Sequence, residues 1–129
     1  MDRSFPRSER VGKSAEFRRV FDRGRSASDG RLIVYALPRG EGGPTRLGLV
    51  VNRRFGNSPA RNLFKRRVRE AFRTNKDRLP SSHDLLVLPA RPGQVPGFEE
   101  IAGSLTESAT RAARAYVTRG PKPPKTRRS

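Results

Sequence analysis

The sequence predicts an α/β (in the wider sense α+β) two-layer sandwich: a mixed four-stranded sheet with three helices, in the order α-β-β-β-α-β-α. Three observations lead there. Apolar residues recur at helical spacing in Phe17-Val20-Phe21, in Phe64-Val68-Ala71-Phe72, and from Phe98 to Tyr116. Strand-length stretches rich in aliphatic residues, Arg31 to Pro38 and Asp84 to Pro89, alternate with those helices. Clusters of glycine, proline and serine punctuate the joins.

Residues 1–12 are polar and basic and read as a flexible lead-in, ahead of a single domain over 13–119. Ser14 is positioned to cap a short helix from Ala15 to about Arg23, which Gly24 stops. A short strand is expected around Arg25 to Ser28, then the strand Arg31 to Pro38. The cluster Arg39-Gly40-Glu41-Gly42-Gly43-Pro44 is a turn, so Thr45 to Asn52 is expected to return as the antiparallel partner in a hairpin. After Phe55-Gly56-Asn57, Ser58 is placed to cap a helix beginning at Pro59 and running to about Lys76. Asp84 to Pro89 is a continuous apolar run, which suits a strand buried on both faces. The last helix spans Phe98 to about Arg119, with a stripe of Phe98, Ile101, Ala102, Leu105, Ala109, Ala112, Ala113 and Tyr116. Gly120 ends it, and residues 120–129 read as a disordered basic tail.

A formal charge of +17 on 129 residues far exceeds what solubility needs. Such a charge repels itself in a compact chain, so it points to an anionic partner, nucleic acid ahead of membrane. The longest apolar run, Leu32 to Leu37, has six residues, against the ~20 of a membrane span. With no apolar signal segment and no cysteine, the expected location is cytoplasmic.

Material for self-sufficient catalysis is poor. The single histidine, His83, stands in a Ser-Ser-His-Asp loop with no base or nucleophile partner. Glu99 and Glu100 open the last helix, where negative charge suits the macrodipole. Gly40, Gly42 and Gly43 precede no Gly-Lys-Ser/Thr, so they form no phosphate-binding loop.

Charge is concentrated instead in residues 53–78, where eight Arg and two Lys face two acids, a net +8 in 26 residues. On a helical period, Arg61, Asn62, Lys65, Arg66, Arg69, Arg73 and Lys76 share one broad face, and Phe64, Val68, Ala71 and Phe72 the other. Arg61, Lys65, Arg69 and Arg73 repeat one sign at i,i+4, which destabilises an isolated helix by a few tenths of a kcal/mol per pair. An anionic partner relieves that repulsion. Phe17 and Phe21, with Tyr35 and Arg91 on neighbouring elements, combine stacking and charge in the manner of a single-strand site. A core role for the Phe pair is equally compatible with their spacing.

The stretch Leu47 to Arg73, with its glycine-containing strand, Asn52-Arg53-Arg54-Phe55-Gly56-Asn57 and then Arg61-Asn62-x-x-Lys65-Arg66-x-x-Arg69, resembles the bacterial ribonuclease P protein component. Glu16-Phe17-Arg18-Arg19-Val20-Phe21 with Gly24, and Asp84 to Gly93, resemble that family's first helix and last strand. The likeness runs from about Arg10 to Tyr116.

The resemblance implies a ribosomal-protein-S5-domain-2-like fold with a left-handed βαβ crossover. It implies an accessory subunit of an endoribonuclease: the RNA subunit removes the 5′ leader of precursor tRNA with magnesium ions, and no protein side chain is catalytic or binds metal. Arg53, Arg54, Arg61, Asn62, Lys65, Arg66, Arg69 and Arg73 would contact the catalytic RNA, and Phe17, Phe21, Tyr35 and Arg91 would line the cleft for the single-stranded leader. The implied partners are that RNA and precursor tRNA, with no membrane and no obligate protein partner. The sequence departs from the family's usual Arg-Asn-Arg at Leu63, with Arg67 one turn later as a substitute that could partly compensate. A structural RNA-binding protein of ribosomal or chaperone type is the alternative that shares this charge and fold. A DNA-binding reading lacks a clear helix-turn-helix pair.

Overall fold

The computed structural model describes residues 5–123. Its elements are α1 (Ser14–Arg23), β1 (Arg25–Ser28), β2 (Leu32–Pro38), β3 (Arg46–Leu49), α2 (Ser58–Thr74), β4 (His83–Pro89) and α3 (Phe98–Arg119), with short 3-10 turns at Arg7–Glu9 and Lys76–Arg78. Three helices and a mixed four-stranded sheet therefore appear in the expected order.

The sheet order is β1-β2-β4-β3. Strands β1 and β2 form a hairpin, with Ser26 opposite Tyr35, and β2 pairs antiparallel with β4, with Tyr35 opposite Leu86. The expected hairpin between β2 and β3 does not form, because β4 lies between them and β3 pairs parallel to β4, Gly48 beside Leu86. The reason lies in burial. Leu85, Leu86 and Val87 are all fully buried, and only a central strand covers both faces of such a run. Strand β3 is consequently an edge.

Side-chain alternation divides the molecule into two clusters. Leu32, Val34, Ala36, Leu47, Leu85 and Val87 point to one face, where α2 supplies Phe64, Val68, Ala71 and Phe72 and α3 supplies Ile101, Leu105, Ala109 and Ala112. On the opposite face α1 buries Val20 against Leu37 and Leu86, with Phe17, Phe21, Tyr35 and Tyr116 packed around them. Helix α1 is short, so it covers only part of that face.

Both predicted caps move by one residue. Asn57, not Ser58, caps α2: its Oδ1 accepts from the Ala60 N–H at 2.9 Å. At α1 the cap position is Lys13, and the Glu16 carboxylate accepts from the Gly12 and Lys13 N–H groups, each at 3.2 Å. The stripe on α3 includes two residues that apolar spacing does not show. Ser104 and Ser108 are buried, and Ser104 Oγ donates to Asp29 Oδ1 at 2.6 Å, tying the β1–β2 turn to α3. Phe98, expected in the stripe, is exposed.

The lead-in has defined contacts from Phe5 on. Phe5 meets Phe72 edge-on at 5.4 Å, Val11 is buried, and Arg10 bridges to Leu47 on the β3 edge. Of the expected basic tail, residues 124–129 lie outside the described residues.

Two carboxylates couple this fold to pH. Burial pushes Glu16 up, but N–H donors from Lys13 and Gly12 and the Arg46 guanidinium outweigh it and hold it below its ordinary value of 4.5. Asp29 behaves alike: burial raises it, while Ser104, the N–H groups of Arg31 and Leu32, and the Arg31 charge bring it below 3.8. Each group binds protons less readily folded than unfolded. Their stabilisation is therefore complete above about pH 4.5 and is lost as pH falls through the lowered folded values. Thermal melts should show this acid loss, and Glu16→Gln with Asp29→Asn should remove that part of it.

Candidate nucleic-acid interface

Helix α2 is held by its apolar back and turns its cations outward. Of the cations on the predicted face, the fold itself engages several. Arg61 donates to Gly56 O at 2.9 Å and to Ser58 Oγ at 3.0 Å, bracing the start of the helix. Arg73 is ion-paired with Glu70, whose carboxyl its hydrogen bond and charge hold below the ordinary range. Lys76 pairs with Glu9. Lys65, Arg66 and Arg69 keep no hydrogen bond or ion pair among the described residues, and Asn62 is exposed beside them. Arg67 does not compensate for Leu63: it turns inward, donating to Pro96 O at 2.7 Å.

Arg53 and Arg54 stand on an exposed turn whose anchor is Phe55, 3% exposed and 5.2 Å from the Phe64 ring. Phe55 O accepts from Gly93 N at 2.7 Å, which joins this turn to the loop carrying Arg91. Arg54 and Arg91 thus line one groove of about 250 Å³, floored by Val50 and Leu88, with Asn52 on its wall. Sequence order alone sets those two arginines in different groups.

Phe17, Phe21 and Tyr35 do come together. Phe21 and Tyr35 pack edge-to-face at 4.9 Å, and all three remain half-exposed. Phe17 lies over Gly48, where an added Cβ would stand 2.8 Å from its ring and 2.7 Å from Leu86 Cδ2. Glycine in the edge strand is thus what admits the ring, a signal present in the sequence. Gly48→Ala should cost about 1–3 kcal/mol in chemical denaturation by crowding the ring. Phe17→Leu added to it should recover part of that loss, seen as coupling in a double-mutant cycle.

Around the β3 edge the basic helix and the aromatic face meet. Lys65 and Arg69 line a groove of about 420 Å³ with Phe17, Gly48, Leu49 and Arg10. Arg10, with its guanidinium 4.8 Å from the Phe5 ring, is a further cation that sequence reasoning passes over. His83 Nδ1 lies 2.8 Å from Ser81 O, a local loop contact. Among the described residues no group of three or more His, Cys, Asp or Glu is placed to hold a metal ion, and no helix is long and apolar enough to cross a membrane.

A lean α/β domain with a row of outward cations beside half-exposed aromatics is built to bind RNA. The comparisons with known proteins make this specific. The ribonuclease P family model matches residues 5–113. The ribonuclease P protein component of Clostridium novyi is 34% identical over 107 residues, covering 82% of this chain and 95% of that protein, and that of Bacillus cereus strain B4264 is 34% identical over 99 residues, covering 77% and 86%. Among solved structures, the RNase P protein of Staphylococcus aureus superposes with a TM-score of 0.72 at 29% identity, covering 84% of this chain and 97% of that one. The Thermotoga maritima RNase P protein gives 0.68 at 33%, covering 77% and 93%. The chain belongs to the ribonuclease P protein component family, the protein subunits of an endoribonuclease that acts in tRNA 5′ processing.

Proposed function

We propose that the protein docks on the catalytic RNA of ribonuclease P through Lys65, Arg66, Arg69 and Asn62, and holds the single-stranded 5′ leader of precursor tRNA on the α1 side of the sheet. The observation that carries this is the groove at the β3 edge, where Lys65 and Arg69 stand on one wall and Phe17 on the other. A chain that lies on the aromatic face passes directly beside the helix that grips the second RNA. Phe17, Phe21 and Tyr35 offer rings for stacking, worth about 1–3 kcal/mol per base. Arg91, Arg54 and Arg53 offer guanidinium forks to phosphates at the far end of the same face. Arg61 and Arg73 contribute less direct contact, since the fold already uses them.

The protein's role is to position and to neutralise. Two RNAs brought together repel through their phosphates, and a band of cations between them lowers that cost. Magnesium belongs to the RNA subunit in this reading. The protein's cytoplasmic location follows from the same partnership.

The test is reconstitution with a bacterial ribonuclease P RNA and precursor tRNA at low magnesium and modest salt, where phosphate repulsion is least screened. Added protein should raise the rate of 5′ maturation over RNA alone, more for substrates with long leaders than for those with very short ones. No gain over RNA alone would sink the proposal, and ribosome co-sedimentation without leader dependence would favour a structural RNA-binding protein.

A further inference from the structure

One register row crosses the whole sheet beneath the aromatic face. Gly48 stands beside Leu86, Leu86 opposite Tyr35, and Tyr35 opposite Ser26. Residues in one row point to one face, and three strand spacings make the row roughly 14 Å long. At its β3 end lies the groove that holds Lys65 and Arg69. At its β1 end Ser26 is exposed and lines a second groove, of about 410 Å³, between the edge strand β1 and the last turns of α3. Ala27, the next residue, packs against the core on the opposite face, so this groove wraps around the β1 edge. Arg111, Arg114 and Arg119 line it, with no acid among the described residues that do so.

The fold leaves these arginines largely unused. All three are exposed, and Arg114 and Arg119 have no hydrogen bond or ion pair among the described residues. Arg111 makes one long bond, from Nη1 to Ser28 O at 3.3 Å, which lays its guanidinium along the β1 edge. The helix macrodipole favours a cation in the last turn and so accounts for Arg119, but its effect fades before Arg114 and Arg111.

We infer that this groove is a distal phosphate site for the 5′ leader. Nucleotides upstream of the one stacked at Tyr35 cross β1 at Ser26 and place their phosphates among Arg111, Arg114 and Arg119. The inference rests on the leader reading above and extends it past the aromatic face. The direction follows from the two edges. The leader is cut at its 3′ end by the RNA subunit, which α2 holds at the β3 edge in that reading, so the upstream nucleotides leave across β1. No ring lines the groove among the described residues. Contact there goes to the backbone and carries no base preference, whereas Phe17, Phe21 and Tyr35 take the bases.

The experiment uses the reconstituted holoenzyme and precursor tRNAs with leaders of about two, six and twelve nucleotides, a range set by single-strand site sizes. With the unaltered protein, affinity should rise from the first to the second as the aromatic face fills, and again to the third as the groove fills. The variant R111Q/R114Q/R119Q keeps good helix formers in α3. It should lose roughly ten- to thirtyfold in affinity for the longest leader at low salt, with the salt slope reduced by about two. Binding of the shortest leader and of the RNA subunit should stay within about twofold, since those phosphate contacts are untouched. Ser26→Glu should also weaken the longest leader and Ser26→Lys strengthen it, with every arginine still in place. Equal weakening for all leaders, or weaker binding of the RNA subunit, would assign the groove to that RNA and overturn the inference. A first rise in affinity with no second, or a triple variant that loses nothing, would overturn it too and leave the leader reading standing. No rise at all with the unaltered protein would fail the leader reading itself and this site with it.

Discussion

Glutamine at Lys65, Arg66 and Arg69 together should weaken binding to a bacterial ribonuclease P RNA by about a hundred- to five-hundredfold at ~0.1 M salt, and reduce the salt slope by about two to three. The magnitude follows from counterion release at about 0.7–0.9 per phosphate contact, multiplied over three contacts. No group among the described residues partners these three, so their loss removes the proposed intermolecular contact and leaves the fold alone. The melting temperature should stay within about 2 °C, as for most surface changes. Arg67→Gln should do the reverse: it breaks the bond to Pro96 O, lowering stability while the salt slope holds. Arg61→Gln and Arg73→Gln should fall between, since each guanidinium already has an internal partner. Filter binding across a salt series, beside thermal melts, reads both quantities. A triple variant with an unchanged slope would remove α2 as the docking face.

Spacing suffices for much of this, and fails where contacts are non-local. The helical period shows the apolar back of α2, since Phe64, Val68, Ala71 and Phe72 obey one local rule. The pairing of β3 is misread from sequence because a turn cluster suggests a hairpin, whereas the choice of partner depends on which strand fills the centre. The cue is available in Asp84 to Pro89, a run apolar on both faces, which belongs between two neighbours. Charge likewise shows the number of cations but not their direction. The helical period leaves Arg67 off the basic face but does not show its partner, Pro96 O in the loop before α3, while Arg66 has none among the described residues. The meeting of Arg54 with Arg91 depends on a backbone hydrogen bond from Gly93 to Phe55, which no side-chain pattern records. The buried Ser104 is invisible because its partner, Asp29, is 75 residues away.

The largest stability effect should come from a residue outside every proposed RNA contact. Asp84 is 3% exposed and takes a two-pronged bond from its register partner Arg46, at 2.7 and 2.8 Å. Arg46 in turn donates to Glu16 of α1 at 3.0 Å, and the Asp84 hydrogen bond raises its already high pKa further. Asp84→Ala leaves the Arg46 guanidinium half-enclosed with one acid where it had two, and Arg39, 3.9 Å from the same carboxylate, loses that acid and keeps its bond to Pro44 O. Breaking a buried pair from one side costs about 3–5 kcal/mol. In a chain of this length that is a fall of about 10–20 °C in melting temperature. Replacing both partners, Asp84→Leu with Arg46→Met, should recover most of the loss, because the pair is then removed whole. The recovered protein nonetheless lacks the tie from β3 to Glu16, which helps seat α1 and with it Phe17 over Gly48. Its stability should therefore return while its leader affinity stays several-fold low, with RNA docking through α2 unaffected. Calorimetry and leader-dependent binding on the same double variant test this separation. Full recovery of both would show that α1 is seated by its apolar contacts alone.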